Sequence, residues 1–272
     1  MPPPANRPRL RKREILLAVT AGALAAGAAA GIMSDGFGGP GSSFVDPAAV
    51  GGASEMTYEV GEFDEITTVG PQDIVVAQGD TFSARSEGSS QALALLEVVV
   101  EDGKLTVRPK GEYRFGFDWG QLESATVYIT VPTLDGVSLA GSGDIKIDNV
   151  EAEEFVGTIA GPGTLSIAAM TVDEADFRIG GSGNVIAAGT ASEARISIGG
   201  SGEVRAGGLR TKTATVSIGG SGDVALTADD EVDVSIAGSG NVDISGPARC
   251  EVRQFGSGNV QCSGGGGTGD AP

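Results

Sequence analysis

A tripeptide that returns at a nearly constant spacing limits the possible folds of this chain more than any other feature. Gly-Ser-Gly occurs six times, and Gly-Pro-Gly takes the place of one further copy. The successive spacings are 20, 20, 19, 20, 18 and 18 residues. A fixed period of this length is typical of solenoid proteins, in which each repeat packs only against its neighbours. The tripeptides begin at Gly141, Gly161, Gly181, Gly200, Gly220, Gly238 and Gly256.

Side chains on both sides of each tripeptide alternate between apolar and polar, which is the period of a β-strand. The second and fourth residues before the tripeptide are apolar in nearly every repeat, and the residue between them is polar or charged. The alternation resumes in the strand after the tripeptide. The apolar columns closest to the tripeptide are Leu139, Ile159, Ile179, Ile198, Ile218 and Ile236 before it, and Ile145, Leu165, Val185, Val204, Val224 and Val242 after it.

Each repeat is therefore predicted to contain a strand, a Gly-Ser-Gly corner, a second strand and a polar turn such as residues 190–193. One repeat cannot bury its own apolar face, but stacked repeats can pair each strand in parallel with its equivalent in the next coil. With 45 glycines and 5% aromatic residues, the core is expected to be thin and built from small and β-branched side chains. The predicted fold is all-β, a parallel β-helix with about 18–20 residues per coil.

Glycine at the corners is expected for a backbone reason, because a tight bend requires positive φ or a close approach of neighbouring coils. For Gly202 and Gly222 we expect positive φ. The predicted structural corner glycines are Gly141, Gly143, Gly161, Gly163, Gly181, Gly183, Gly200, Gly202, Gly220, Gly222, Gly238, Gly240, Gly256 and Gly258.

The N-terminal 33 residues have the layout of an export signal. Five basic residues within the first thirteen precede the uncharged apolar stretch 15–33. Small residues at Ala28–Ala30 fit a cleaved signal peptide, whereas 19 apolar residues also suffice for an uncleaved signal-anchor helix. Contact with a membrane is expected only through residues 15–33, if they are not cleaved. Both alternatives export the rest of the chain to the periplasm, outer membrane or cell surface, with inner-membrane anchoring in the second.

The remaining chain divides by composition into a linker, a repeat domain and a tail. Residues 34–56 are rich in Gly, Pro, Ser and Ala and are predicted to be a flexible linker. The repeat domain spans residues 57–263, with its strongest repeats at 137–262. Residues 264–272 are predicted to be a disordered tail.

The first part of the repeat domain lacks the tripeptide. Residues 57–110 are interpreted as divergent early coils. Within them we predict a short helix at 91–96 and a β-hairpin at 98–107, with Asp102-Gly103 at its turn. Residues 113–119, which contain the only Trp, interrupt the pattern and are predicted to form a loop or cap.

Composition excludes several classes of function. A formal net charge of -18 repels phosphate backbones, so nucleic acid is a poor partner. The chain contains no His, which removes His-dependent catalytic triads and most zinc sites. Polysaccharide-degrading enzymes also use β-helices, but the acidic and basic residues here are scattered singly. We expect no enzymatic activity, no catalytic residue and no cofactor.

Polar residues that directly follow each corner tripeptide form a column that stacking would turn into an external ladder. Carboxylates and amides at this spacing are compatible with a calcium or sugar site, but short polar residues also cap turns and stack as amide ladders. Because only two adjacent members are both carboxylates, we favour the structural interpretation and predict no metal site. The ladder consists of Asp144, Thr164, Asn184, Glu203, Asp223, Asn241 and Asn259.

The only two cysteines lie in the last repeat. Cys250 and Cys262 occupy inward positions on either side of its corner. In an exported chain they are expected to form a disulfide that closes the terminal coil, and two buried free thiols are the alternative.

The chain resembles the GIN-domain proteins, described as auto-transporter adhesin head domains of the bacterial envelope. The resemblance runs from Phe63 to Cys262 and is carried by FDEITTVGPQDIVVAQGD, LEVVVEDGKLTVRP, VYITVPTLDGVSLAGSGDI and the repeated GSGDI, GSGNV and GSGEV. It implies a right-handed parallel β-helix. No run of membrane strands follows the repeats in this sequence, so self-delivery to the cell surface is not expected.

These observations predict a non-catalytic, exported binding module, an adhesin head or scaffold that presents a β-helix surface. Its partner is expected to be an unknown protein or polysaccharide. The alternative is a periplasmic structural or envelope-homeostasis protein without an external ligand.

Overall fold

The computed structural model describes residues 54–110 and 125–264. The predicted signal or anchor segment, most of the linker, residues 113–119 and the tail beyond Gly264 lie outside these ranges. The first strand begins at Ser54, three residues before the predicted start of the domain.

The described residues form strands with one short helix, α1 (Ser90–Ala94). None of their helices is long and apolar enough to cross a membrane. The strands are β1 (Ser54–Tyr58), β2 (Glu65–Val69), β3 (Asp73–Gln78), β4 (Ser83–Gly88), β5 (Leu96–Glu101), β6 (Lys104–Pro109), β7 (Thr126–Val131), β8 (Gly136–Ala140), β9 (Ile145–Ile147), β10 (Val150–Gly161), β11 (Thr164–Gly181), β12 (Asn184–Gly200), β13 (Glu203–Gly220), β14 (Asp223–Gly238), β15 (Asn241–Ser245), β16 (Arg249–Gly256) and β17 (Asn259–Cys262).

Equivalent residues of successive coils lie directly above one another. Ile179 of β11 pairs in parallel with Ile198 of β12, which pairs with Ile218 of β13 and then Ile236 of β14. Members of the columns on both sides of the corner are at most 3% exposed between Val137 and Ile244. The prediction of an all-β solenoid with alternating inward and outward side chains is confirmed.

The polar turn predicted at residues 190–193 is wrong. β12 runs through this segment, and Thr190 pairs with Thr171 in one neighbouring coil and Arg210 in the other. Because the backbone groups find partners in both neighbouring coils, the segment bends as a strand and needs no turn hydrogen bonds. Gly189, with φ of 126°, provides the bend beside the buried Ala191.

The two glycines of each corner are required for different reasons. The first has φ between 133° and 158° in all seven repeats. The second, including Gly202 and Gly222, does not have positive φ, so the expectation for these two was wrong. A Cβ on Gly202 would instead lie 2.6 Å from the carbonyl oxygen of Gly183 and 2.6 Å from Cγ2 of Ile179. The coil below leaves no space for a side chain at this position.

An eighth corner was missed because it lacks the second glycine. Gly70, between β2 and β3, has φ of 118° and donates its N–H to the carbonyl of Ala140, 3.0 Å away. Gln72 occupies the position equivalent to Gly143. β8 and β9 form the next coil in the stack after the Gly70 corner, because β8 pairs with β2 and β9 pairs with β3.

The N-terminal part is not a simple series of early coils. β2 and β3 form one coil that lies between two others. One neighbouring coil contains β6 and β7, and the other contains β8 and β9, and the pairing is parallel with both. The predicted helix and hairpin are both present, and the hairpin turn uses Asp102 and Gly103 at φ of 50° and 80°.

Antiparallel strands cover this end of the solenoid. β5 pairs with β6, and β4 pairs with both β7 and β1. The described residues thus begin with strands that change direction and end the parallel stack.

Substituting Gly202 or Gly222 by Val should destabilise the fold by about 1 to 3 kcal/mol, because the new Cβ overlaps the coil below. Ser217→Val introduces the same side chain on the exposed face of the preceding strand and should change the free energy of unfolding by less than about 0.5 kcal/mol. Chemical denaturation of the three variants measures the difference. Equal stability of all three would contradict the corner geometry.

Candidate binding surfaces

The outer side of the strand before each corner carries two columns of mostly small residues, here called the serine face. One column lies three residues before the corner and the other one residue before it. Parallel pairing keeps both in register from β8 to β16. The columns are Ser138, Thr158, Arg178, Ser197, Ser217, Ser235 and Arg253, and Ala140, Ala160, Gly180, Gly199, Gly219, Ala237 and Phe255.

The middle of the serine face forms an open groove of about 490 Å³ across five coils, here called the serine groove. Its floor contains Gly180, Gly199 and Gly219. A Cβ on any of these would have its nearest neighbour 3.8 to 3.9 Å away, and none has positive φ. The fold therefore has room for side chains at these positions, unlike the corner positions.

The serine groove is bordered by hydroxyl groups and contains one cation that is already paired. Arg178 donates from Nε and Nη2 to the two carboxylate oxygens of Asp176, at 3.2 and 2.6 Å. Ser197, Ser217 and Ser235 are exposed beside the glycine floor. The groove is thus locally neutral on a strongly acidic protein.

The ladder after the corners uses its carboxylates as hydrogen-bond acceptors between coils. Asp144 Oδ1 accepts from the backbone N–H of Thr164 at 3.0 Å. Asp223 Oδ1 accepts from the backbone N–H and the side-chain amide of Asn241, at 3.1 and 2.8 Å. Asp73 continues the ladder at the earlier corner by accepting from Asp144 N–H at 3.0 Å. The geometry matches the structural interpretation of this column.

Glu203 is also occupied, since Arg205 donates from Nε and Nη2 to its two oxygens at 2.7 and 2.6 Å. In the part of the chain that the structure describes, no group of three or more acidic, His or Cys residues could hold a metal ion.

Carboxylates gather at the outer edge of the first coils. Partial burial raises the pKa of Asp135, and the negative charges of Asp64, Glu65, Glu154 and Glu153 raise it further. For a group with a raised pKa in the folded state, the stabilising contribution is present at low pH and is lost as pH rises through the folded-state pKa. Repulsion between these carboxylates therefore lowers the stability of the fold at neutral pH, and the edge repels anionic ligands.

A disulfide joins the two strands of the last coil. Cys250 in β16 and Cys262 in β17 are linked across a Cα–Cα distance of 6.6 Å, and the described residues contain no free cysteine. The disulfide connects the strands on the two sides of the final corner, and among residues 54–110 and 125–264 no further coil pairs with these strands.

The glycine floor of the serine groove was not predicted from the sequence. Its signal was available, because Gly180, Gly199 and Gly219 occupy outward strand positions where glycine is unfavourable without a local reason. Each floor glycine directly precedes a corner glycine, so the sequence does not distinguish the two roles.

The solenoid and its uniform outer columns correspond to a known class of bacterial domain. A family model described as "Putative auto-transporter adhesin, head GIN domain" matches residues 62–248. The chain belongs to this family, as its resemblance in sequence indicated. No curated protein sequence matches the chain significantly.

Solved structures share the fold over most of their length. A putative adhesin from Bacteroides fragilis NCTC 9343 is 25% identical with a TM-score of 0.68, covering 77% of this chain and 96% of that one. A putative adhesin from Parabacteroides distasonis ATCC 8503 is 20% identical with a TM-score of 0.65, covering 77% and 96%. A putative lipid binding protein from the same strain is 22% identical with a TM-score of 0.61, covering 78% and 97%.

Calcium should stabilise the protein only through general screening of its negative charge, because the ladder carboxylates already bond to backbone and arginine groups. Millimolar calcium and sodium chloride at matched ionic strength should raise the melting temperature by similar small amounts, without saturation. Thermal melts over a calcium titration measure this.

The double variant Glu203→Gln, Asp223→Asn serves as the control for a specific site. A saturable calcium shift that this variant abolishes would follow mass action and would contradict the structural interpretation.

Proposed function

We propose that this protein is an exported, non-catalytic binding module of the bacterial envelope, of the adhesin-head type, and that it binds an extended polysaccharide along the serine groove. The proposal rests on the floor of the groove. Gly180, Gly199 and Gly219 have room for a side chain, yet none is present.

Glycine in a strand weakens it relative to Ala by roughly 0.5 to 1 kcal/mol, so three aligned glycines without a backbone reason indicate another requirement. A flat floor lets a ligand approach the backbone closely. Side chains at these three positions would fill the groove.

The chemistry of the groove fits a neutral sugar chain better than a protein strand. Four of the five coils place a hydroxyl here, from Thr158 to Ser235, and Arg178 takes this position in the other coil, over a length of roughly 19 Å for four coil steps. The apolar floor can contact the faces of sugar rings, and the flanking hydroxyls can donate to and accept from sugar hydroxyls. The net charge of -18 disfavours anionic polymers.

The family and the names of its solved relatives support a binding role rather than an enzymatic one. Export through residues 1–33 supplies the location that such a role needs. If the chain instead stays in the periplasm without an external ligand, it would serve the structural role considered above.

Binding is tested by affinity electrophoresis or co-sedimentation with neutral polysaccharides such as mannan, dextran and xylan, against polygalacturonate as the anionic comparison. We expect retention by at least one neutral polymer and none by polygalacturonate. The double variant Gly199→Leu, Gly219→Leu should weaken binding at least about tenfold, because its side chains occupy the groove.

Gly207→Leu is the matched control. Gly207 is exposed and lies outside the groove, and a Cβ added to it would have no neighbouring atom within 4 Å. Equal binding by both variants, or no binding to any neutral polymer, would contradict the proposal. Protease treatment of intact cells tests location separately, since a surface adhesin must be digested and a periplasmic protein is protected.

A further inference from the structure

The two ends of the solenoid are built differently. Antiparallel strands cover the N-terminal end, as described above. At the other end, β16 pairs with β14 and β17 pairs with β15. Within residues 125–264, no strand pairs with the outer edge of either one.

The last coil exposes apolar side chains that its predecessors bury. Val252, Val260 and Cys262 are only half-buried, although the equivalent residues one coil earlier are at most 2% exposed. Phe255 is 71% exposed and occupies the column that holds Gly219 and Ala237 in the preceding coils. An open apolar end of this kind favours a docking partner.

Some backbone hydrogen-bonding groups of β16 point away from β14. Ser257 donates its N–H to the carbonyl of Gly238 at 3.0 Å, so the odd-numbered residues of β16 direct their hydrogen-bonding groups toward β14. The N–H and C=O groups of Cys250, Val252 and Gln254 consequently point to the open edge.

The side chains of β16 are complementary to those of a second copy in the antiparallel direction. With Val252 on a two-fold axis, Glu251 lies opposite Arg253 of the second copy, and Arg249 lies opposite Phe255. The first pair is ionic and the second is a cation on an aromatic ring. Each pair occurs twice because of the symmetry.

This register also uses the open backbone groups. Val252 would pair with its own copy, and Cys250 with Gln254, which are the residues whose N–H and C=O point outward. Both the side chains and the backbone therefore favour the same alignment.

Charge makes this end the favourable one for self-association. Residues 246–264 contain two arginines and one glutamate, whereas the chain as a whole carries -18.

We propose that two copies of this protein associate end to end through antiparallel pairing of β16, centred on Val252, into a dimer with a continuous sheet. The inference is independent of the ligand proposed for the serine groove.

Sedimentation equilibrium of the full-length protein in mild detergent, at concentrations up to about 100 µM, tests the proposal. We expect reversible dimerisation. Arg253→Glu and Glu251→Arg each place like charges opposite one another across the two-fold axis, so each should weaken dimerisation at least about tenfold. The double variant Glu251→Arg, Arg253→Glu restores opposite charges in the same register and should recover the dimer.

Melting temperatures separate association from folding, because the single variants also break the Glu251–Arg253 ion pair within each strand. A monomer at all concentrations would overturn the proposal. Dimerisation that is unchanged in the single variants, or that is not recovered in the double variant, would assign self-association to another part of the chain and would equally overturn it.

Discussion

The close approach of consecutive corners is the constraint on which the rest of this structure depends. Parallel coils are separated by about 4.8 Å, the spacing of hydrogen-bonded strands, and the bend at each corner brings backbone directly against backbone. A Cβ on Gly222 would lie 2.8 Å from the carbonyl oxygen of Gly202 in the coil below. Glycine at the corners fixes the register of the strand segments beside them, and register shifts farther along β11 to β14 absorb the differences in coil length.

That register converts a one-dimensional repeat into continuous columns, which explains both what was predictable and what was not. The inward columns and the hairpin at Asp102-Gly103 follow from local chemistry that is visible in the sequence. The continuous strand through residues 190–193 was not predictable, because its hydrogen-bond partners belong to neighbouring coils. The same holds for β2 and β3, whose position between two later levels depends on long-range pairing.

Side-chain size in one coil can compensate for side-chain size in the next, and the local sequence does not reveal this. Gly157 interrupts an inward column of large apolar residues. A Cβ on Gly157 would lie 3.0 Å from Cδ1 of Phe177 in the next coil, so the missing side chain makes room for that ring. The Phe177 ring also contacts Phe155, with centroids 6.4 Å apart. A small residue in one coil is thus balanced by a large residue in the next, so that the core stays filled although the residue type changes.

The fold therefore requires glycine for three different structural reasons. Glycines that none of these reasons explains are candidates for a functional role. At the first corner position it provides positive φ, and at the second it avoids the neighbouring backbone. Gly157 yields volume to an aromatic ring. At Gly180, Gly199 and Gly219 none of these reasons applies, since φ is ordinary and the space above the strand is open. The fold gives no reason for glycine at these positions, and the ligand proposed for the serine groove would give one.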